Sequence, residues 1–423
     1  MKTHNTLLVL AAALLATLVG CAQNKKPPPK QFAFWPAAPD EPRLQYLCSF
    51  QSSASVEPGK SKLDELVYGK EIQQIQSISK PYGIDMWNGR IYVCDLRSNA
   101  VVILDLRKQK TLIIGQGSSD TMQQPSDITI APDGMKYVAD LGRGMIMVYD
   151  PSDHYVGSMG SPNLKPVGVA VFENELFVCD FKGQNVKVLD RRNGQLLRTI
   201  GSPGQGAGQF VRPLGIDTDA QGNVYVTDVL SCRMQKFDRN GNLLTAFGII
   251  SANAGGFVRP KHIAVDHEGT IYVVDAAFQN VQLFDQVGRV YTFFGSAGSH
   301  PGAMYLPAGV AVHEGDMDLF AKYVHPDFDA QRLVLVTNQF GDNKVAVYAL
   351  GHLKAGKTVA DLAPSRLQFE AGVGQPKTTG VGAALPATLP ANAQDIVGAD
   401  APPATVPSPT RPPARAVEAS QRK

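Results

Sequence analysis

The chain has 423 residues, 44% of them apolar and 18% charged, which is enough to bury a large core. Its formal net charge of +2 excludes a nucleic-acid binder that works by bulk counterion release. Length alone sets a soft expectation of two or three domains, which an internal repeat overrides.

In chain order, Met1 to Gly20 reads as an export signal: Lys2 precedes an apolar run from Leu7 to Val19, too short to span a bilayer and followed at once by polar sequence. Leu18-Val19-Gly20-Cys21 resembles the lipobox of bacterial lipoproteins. That resemblance implies a lipidated Cys21 as the mature N-terminus, anchored in the bacterial cell envelope. Ala22 stands where an aspartate would signal inner-membrane retention, so outer-membrane sorting is implied, with the periplasmic or surface side left open. Residues 21–42 carry Lys25-Lys26-Pro27-Pro28-Pro29 and further prolines, the composition of an extended tether.

A repeat then fills residues 43–356. Copies start at Pro81, Pro125, Pro166, Pro213, Pro260 and Pro307, spaced by 44, 41, 47, 47 and 47 residues. Each begins with a short apolar strand (GIDM, DITI, GVAV, GIDT, HIAV, GVAV), followed by a turn and an alternating strand such as IYVCD, VYVTD or IYVVD. A third strand follows, and in five copies a fourth, as in LLRTIG, LLTAFG and VYTFFG. Period-two alternation with β-branched and aromatic residues predicts an all-β chain. Four strands per 40-to-50-residue repeat predict a six-bladed β-propeller. The sixth copy lacks its own fourth strand, and the N-terminal strand RLQYLCSF (43–50) is expected to supply it and close the ring, sparing an exposed edge. Beyond the ring, residues 357–423 are Ala/Pro/Thr-rich and are expected to be disordered.

The phrase Pro-x-Gly-Ile/Val-x-Val, turn, Ile/Val-Tyr-Val-x-Asp, loop, Val-x-x-Phe/Leu-Asp resembles the NHL-repeat propellers from about Arg43 to Leu350. The Asn-x-Arg that commonly follows the aspartate is mostly absent, with Arg233 the clearest survivor, and the sixth copy carries an insertion, EGDMDLFAKYVHPDFDAQR. With the lipobox, the whole resembles six-bladed propeller lipoproteins of bacterial envelopes. The resemblance implies a monomeric, non-enzymatic binding or scaffold protein that recognises an envelope protein, redox partners included, or an acidic ligand. The alternative is a metal-dependent propeller hydrolase or lyase, lactonase-like or amidating-lyase-like, with calcium or zinc at the central funnel; otherwise no cofactor is called for.

Strand reversal places the blade starts and the loops after the second strands on one face of the disc. There the sequence gathers Lys80, Lys165, Arg212, Arg259 and Lys261, with Arg97, Arg143, Lys182 and Arg233. Asp133, Glu173, Asp219, Asp266 and Glu268 fall on the opposite face, predicting an electrically two-sided protein with a basic mouth. At the third position of the first strands, Gly83, Gly168, Gly215 and Gly309 alternate with two polar exceptions, Asp127 and His262. With Tyr82 and Lys261 they are the candidate lining of a polar funnel.

The recurring Asp95, Asp140, Asp180, Asp228 and Asp275 end the second strands, where a carboxylate accepts loop N–H groups. They are too widely spaced around a ring to ligate one ion at about 2.4 Å. After Cys21, Cys48, Cys94, Cys179 and Cys232 form no CxxC or CxxCH. They are expected as buried thiols, with Cys179 and Cys232, on adjacent blades, the one pair to check for a disulfide. No HExxH, triad spacing or phosphate loop is present.

Overall fold

The computed structural model describes residues 32–58, 76–161 and 163–362. The export signal, Cys21, the first part of the tether and the tail from residue 363 lie outside the described residues.

Every predicted copy folds as an antiparallel sheet whose strands neighbour one another in chain order. Blade 2, for example, comprises Pro125–Ile130, Lys136–Asp140, Met145–Tyr149 and Tyr155–Met159. The first strands of successive blades pack side by side, and that of blade 6 (Pro307–His313) returns to that of blade 1 (Pro81–Trp87), so the sheets form a closed ring around an axis. The middle strands have a neighbouring blade on each face. Both of their alternating residue sets are therefore apolar, and strands such as Ile271–Asp275 are buried throughout. The outermost strands have a blade interface on one side only, and Tyr155–Met159 accordingly alternates between half-buried and exposed.

The ring closes through the predicted N-terminal strand. Leu44–Phe50 pairs antiparallel with Val345–Leu353, with Leu44 opposite Leu350 and Phe50 opposite Val345. One boundary differs from the expectation. Ala33–Trp35, assigned above to the tether, adds a fifth strand outside Leu44–Phe50. Its apolar side chains offset the ordering of a Pro-rich segment: Ala33 is buried, and the Trp35 ring meets Tyr348 at 5.7 Å and Phe294 at 6.5 Å. At the other end Val359–Leu362 forms one 3₁₀ turn with Leu362 buried, a few residues past the predicted boundary.

The sixth-blade insertion is folded onto the closure. Its 3₁₀ helix Met317–Tyr323 buries Phe320, Phe328 packs on Phe34, and Gln45 bonds both Tyr323 O and His325 N–H. It braces the joint between the two chain ends of the ring.

Candidate functional site

The chain enters each first strand from one face of the disc, called upper here, and descends at about 3.3 Å per residue. Tyr82 and Lys261 therefore lie nearest the mouth, Asp127 and His262 one step below, and the fifth-position residues two steps deeper. At the third position the strands approach so closely that a Cβ on Gly309 would lie 2.2 Å from Tyr82 O, and one on Gly168 2.3 Å from Leu214 O. Glycine is forced in those blades. Blades 2 and 5 stand opposite each other in a ring of six, and their exceptions meet: His262 Nε2 lies 3.1 Å from Asp127 Oδ1, both residues buried. The other Asp127 oxygen accepts the Val169 N–H at 2.9 Å from the next blade. Burial opposes the charged imidazolium, but the Asp127 charge and hydrogen bond outweigh it and hold His262 above the ordinary histidine value.

At the fifth position the structure adds two residues that the sequence reading missed. Asp85 and Asp217 come from blades 1 and 4, again opposite. Each accepts the N–H of its own successor and one from the next blade: Met86 and Ile130 for Asp85, Thr218 and Val265 for Asp217. Burial lifts Asp85 to about 7 against the pull of those N–H groups, with the Asp217 and Asp127 charges adding to the rise. The same cause lifts Asp217 to about 6, moderated by His262. Their signal was present in GIDM and GIDT, where the other copies carry Thr129, Ala170, Ala264 and Ala311.

Above the pair, Lys261 is 2% exposed with its Nζ 5.3 Å from the centre of the Tyr82 ring. Burial, with the nearby Arg259 and Lys80 charges, lowers its pKa to about 7. Burial likewise raises the Tyr82 hydroxyl. Lys80, Lys165, Arg212 and Arg259 stand half-buried around the mouth, each fixed through its own N–H to the aspartate ending its blade's second strand. Those aspartates are structural clamps: Asp228 accepts Val211 and Arg212 N–H at 2.8 and 2.9 Å and the Ser231 hydroxyl at 2.7 Å, tying two loops together. In blade 6 Asn338 does the same work, accepting Tyr305 N–H and donating to Asn343 O.

The two faces differ in how their charges are matched. Below, acids and bases pair, mostly across blade junctions: Arg90 with Asp153, Asp133 with Arg191, Glu173 and Glu175 with Arg239, Arg332 with Asp266 and Glu268, and Arg107 with Asp316. Asp219 pairs with Lys236 within blade 4. The expected acidic face is thus a ring of ion pairs. Above, five of the cations contact uncharged groups. Arg212 stacks on Phe181 at 4.7 Å, Lys165 donates to Leu141 O, Lys182 to the Asn163 amide, Arg143 to Thr121 O and Arg233 to Gly206 and Gln209 O. Among the described residues the lower-face charges named here pair with opposite charges, while Lys165, Lys182, Arg143, Arg212 and Arg233 above meet carbonyls, an amide and an aromatic ring.

Among the described residues no three His, Cys, Asp or Glu side chains are grouped to hold one metal ion. Cys48, Cys94, Cys179 and Cys232 are free thiols; burial pushes Cys48 up to about 12 and Cys94 and Cys179 far above their ordinary value.

No protein-family model matches the chain. Similar solved structures include virginiamycin B lyase from Staphylococcus aureus, at 13% identity over 65% of this chain and 96% of that one, TM-score 0.46. A calcium-binding protein, regucalcin, from Agrobacterium tumefaciens matches at 13% identity over 65% and 92%, TM-score 0.43. A protein of unknown function from Bacteroides thetaiotaomicron matches at 14% identity over 72% and 75%, TM-score 0.52. At such identity a likeness speaks to fold, and the fold of this chain is the six-bladed β-propeller.

Proposed function

We propose that this chain is a non-enzymatic binding lipoprotein of the bacterial cell envelope, held at the outer membrane through Cys21. Its upper face recognises an acidic segment of an envelope protein, redox carriers being one such class. The observation that carries the reading is a charge asymmetry among the described residues: lower-face carboxylates such as Asp133 and Glu173 have basic partners, while Lys165, Lys182 and Arg212 above contact a carbonyl, an amide and an aromatic ring. Leu230, Tyr305 and Phe340, 54%, 45% and 49% exposed, stand on loops of that same face. Cations steer an acidic partner and exposed aromatics anchor it. Asp127 is committed to His262 and Val169, which favours a structural axis over an open catalytic one.

The test is binding of the immobilised protein to polyglutamate and polylysine at increasing salt. Selective, salt-sensitive capture of polyglutamate, abolished by Lys165→Glu with Arg212→Glu and Lys182→Glu, is expected. Equal capture of both polymers sinks the basic-face reading. Fractionation of cells carrying Cys21→Ser tests the anchor separately, with loss from the membrane fraction expected.

A further inference from the structure

In each blade the outermost strand places one residue opposite the same point of the third strand. These residues are Leu112 opposite Ile103, Gly157 opposite Val148, Arg198 opposite Val188, Thr245 opposite Lys236, Thr292 opposite Leu283, and Cys48 opposite Val347. In blade 3 Arg198 fills the wedge toward the next blade, bonding Glu175 at 2.6 Å and Arg239 O at 2.6 Å over the Phe177 ring. In blade 6 Cys48 packs against the core shared with blade 1, and in blade 5 Thr292 is buried. Blade 2 alone has glycine there, and no atom lies within 4 Å of where a Gly157 Cβ would stand. The consequence is an open cleft of about 510 Å³ between blades 2 and 3 on the lower, outer side.

The chemistry of the cleft differs from that of its filled counterparts. Met135 occupies the position of Glu175, and with Val148, Val156 and Met159 it gives the cleft apolar walls. Arg191 and Arg192 line it as well. Arg192 is 68% exposed at its side chain and uses Nε and Nη2 on Asp190, at 3.0 and 2.7 Å. A guanidinium has five donors, so the remainder of this fork is available to a second carboxylate. The volume falls within the roughly 300–1,000 Å³ of small-molecule sites.

We propose that this inter-blade cleft binds a small molecule with an apolar body and a carboxylate head. The body takes the wedge that Arg198 fills in blade 3, and the head meets Arg192. The site is independent of the upper face.

The experiment titrates 4-phenylbutyrate into the full chain carrying ¹³C-methyl methionine and follows the Met135 and Met159 methyl resonances. Saturable shifts confined to these two methyls are expected, with 4-phenylbutanol, which lacks the carboxylate, binding about tenfold more weakly. Val156→Asp, at an exposed position, is expected to weaken phenylbutyrate binding by about tenfold or more with an unchanged melting temperature. Gly157→Thr fills the wedge; its φ of +156° strains any side chain, so its melting temperature is read alongside. Arg192→Gln is expected to equalise the two ligands. Absence of saturable shifts, shifts spread over distant methionines, or titrations unchanged in Val156→Asp and Arg192→Gln would overturn the proposal.

Discussion

Asp127 and His262, 135 residues apart in sequence, form a hydrogen bond across the axis between opposite blades. It joins the inner strands directly at the one level where the other four blades carry only glycine. Replacing His262 with Leu leaves a buried carboxylate with a single backbone donor. A loss of about 3 kcal/mol in urea unfolding at neutral pH is expected. Asp127→Leu combined with His262→Leu removes both charges and is expected to lose less than either single change. Strict additivity of the two single losses would show that the pair is not coupled.

The axis also sets a pH dependence. Asp85 and Asp217 rise from 3.8 to about 7 and about 6, so the folded state holds these protons more tightly than the unfolded chain. Their contribution is full below pH 3.8 and is lost as pH climbs through about 6 and 7. His262, also raised, acts in the same direction at higher pH. Lys261, lowered to about 7, acts oppositely above that value. The wild-type chain should therefore lose more stability between about pH 4.5 and 7 than the Asp85→Asn, Asp217→Asn chain. Urea midpoints at the two pH values check this, and parallel profiles would refute it.

The aspartate clamps predict a graded series in blade 4. Asp228→Ala strands the Val211 and Arg212 N–H groups and the Ser231 hydroxyl, and about 2–3 kcal/mol of stability should be lost. Asp228→Asn should lose less, because Asn338 already performs this task in blade 6. Denaturant unfolding of the two variants decides the order.

Ring closure depends on Leu44, fully buried between the closing strand and its neighbours. Leu44→Ala should cost about 2–5 kcal/mol. Removing residues 32–42, which deletes Trp35 from its contacts with Tyr348 and Phe294, should lower the melting temperature while leaving the strand content by circular dichroism almost unchanged.

Thiol reactivity offers a further check. Buried Cys94 and Cys179 should resist an aromatic disulfide reagent at neutral pH in the native protein and react only on unfolding, since burial holds them as thiols. Rapid native reaction at either residue would contradict the packing.

The repeat made the blades legible because a β-blade encodes itself locally. Alternation, turn residues and the strand-ending aspartate recur every 41 to 47 residues, and the missing fourth strand of the last copy could be matched to Arg43–Phe50. Asp127 and His262 were visible as departures from a glycine column. Asp85 and Asp217 were overlooked because an aspartate in a half-polar strand looks like a solvent-facing residue until the strand is known to border the axis. Ala33–Trp35 was read as tether because three apolar residues among prolines carry no periodicity.

The sequence by itself determined the number of blades, their strand order and how the ring closes, since each depends on interactions within about fifty residues or on one missing strand. Only the tertiary structure decided which residues oppose one another across the axis, which acids on the lower face find a base in the next blade, and that Gly157 leaves a wedge unfilled. Those outcomes depend on distances between blades, and closing the ring is what sets those distances.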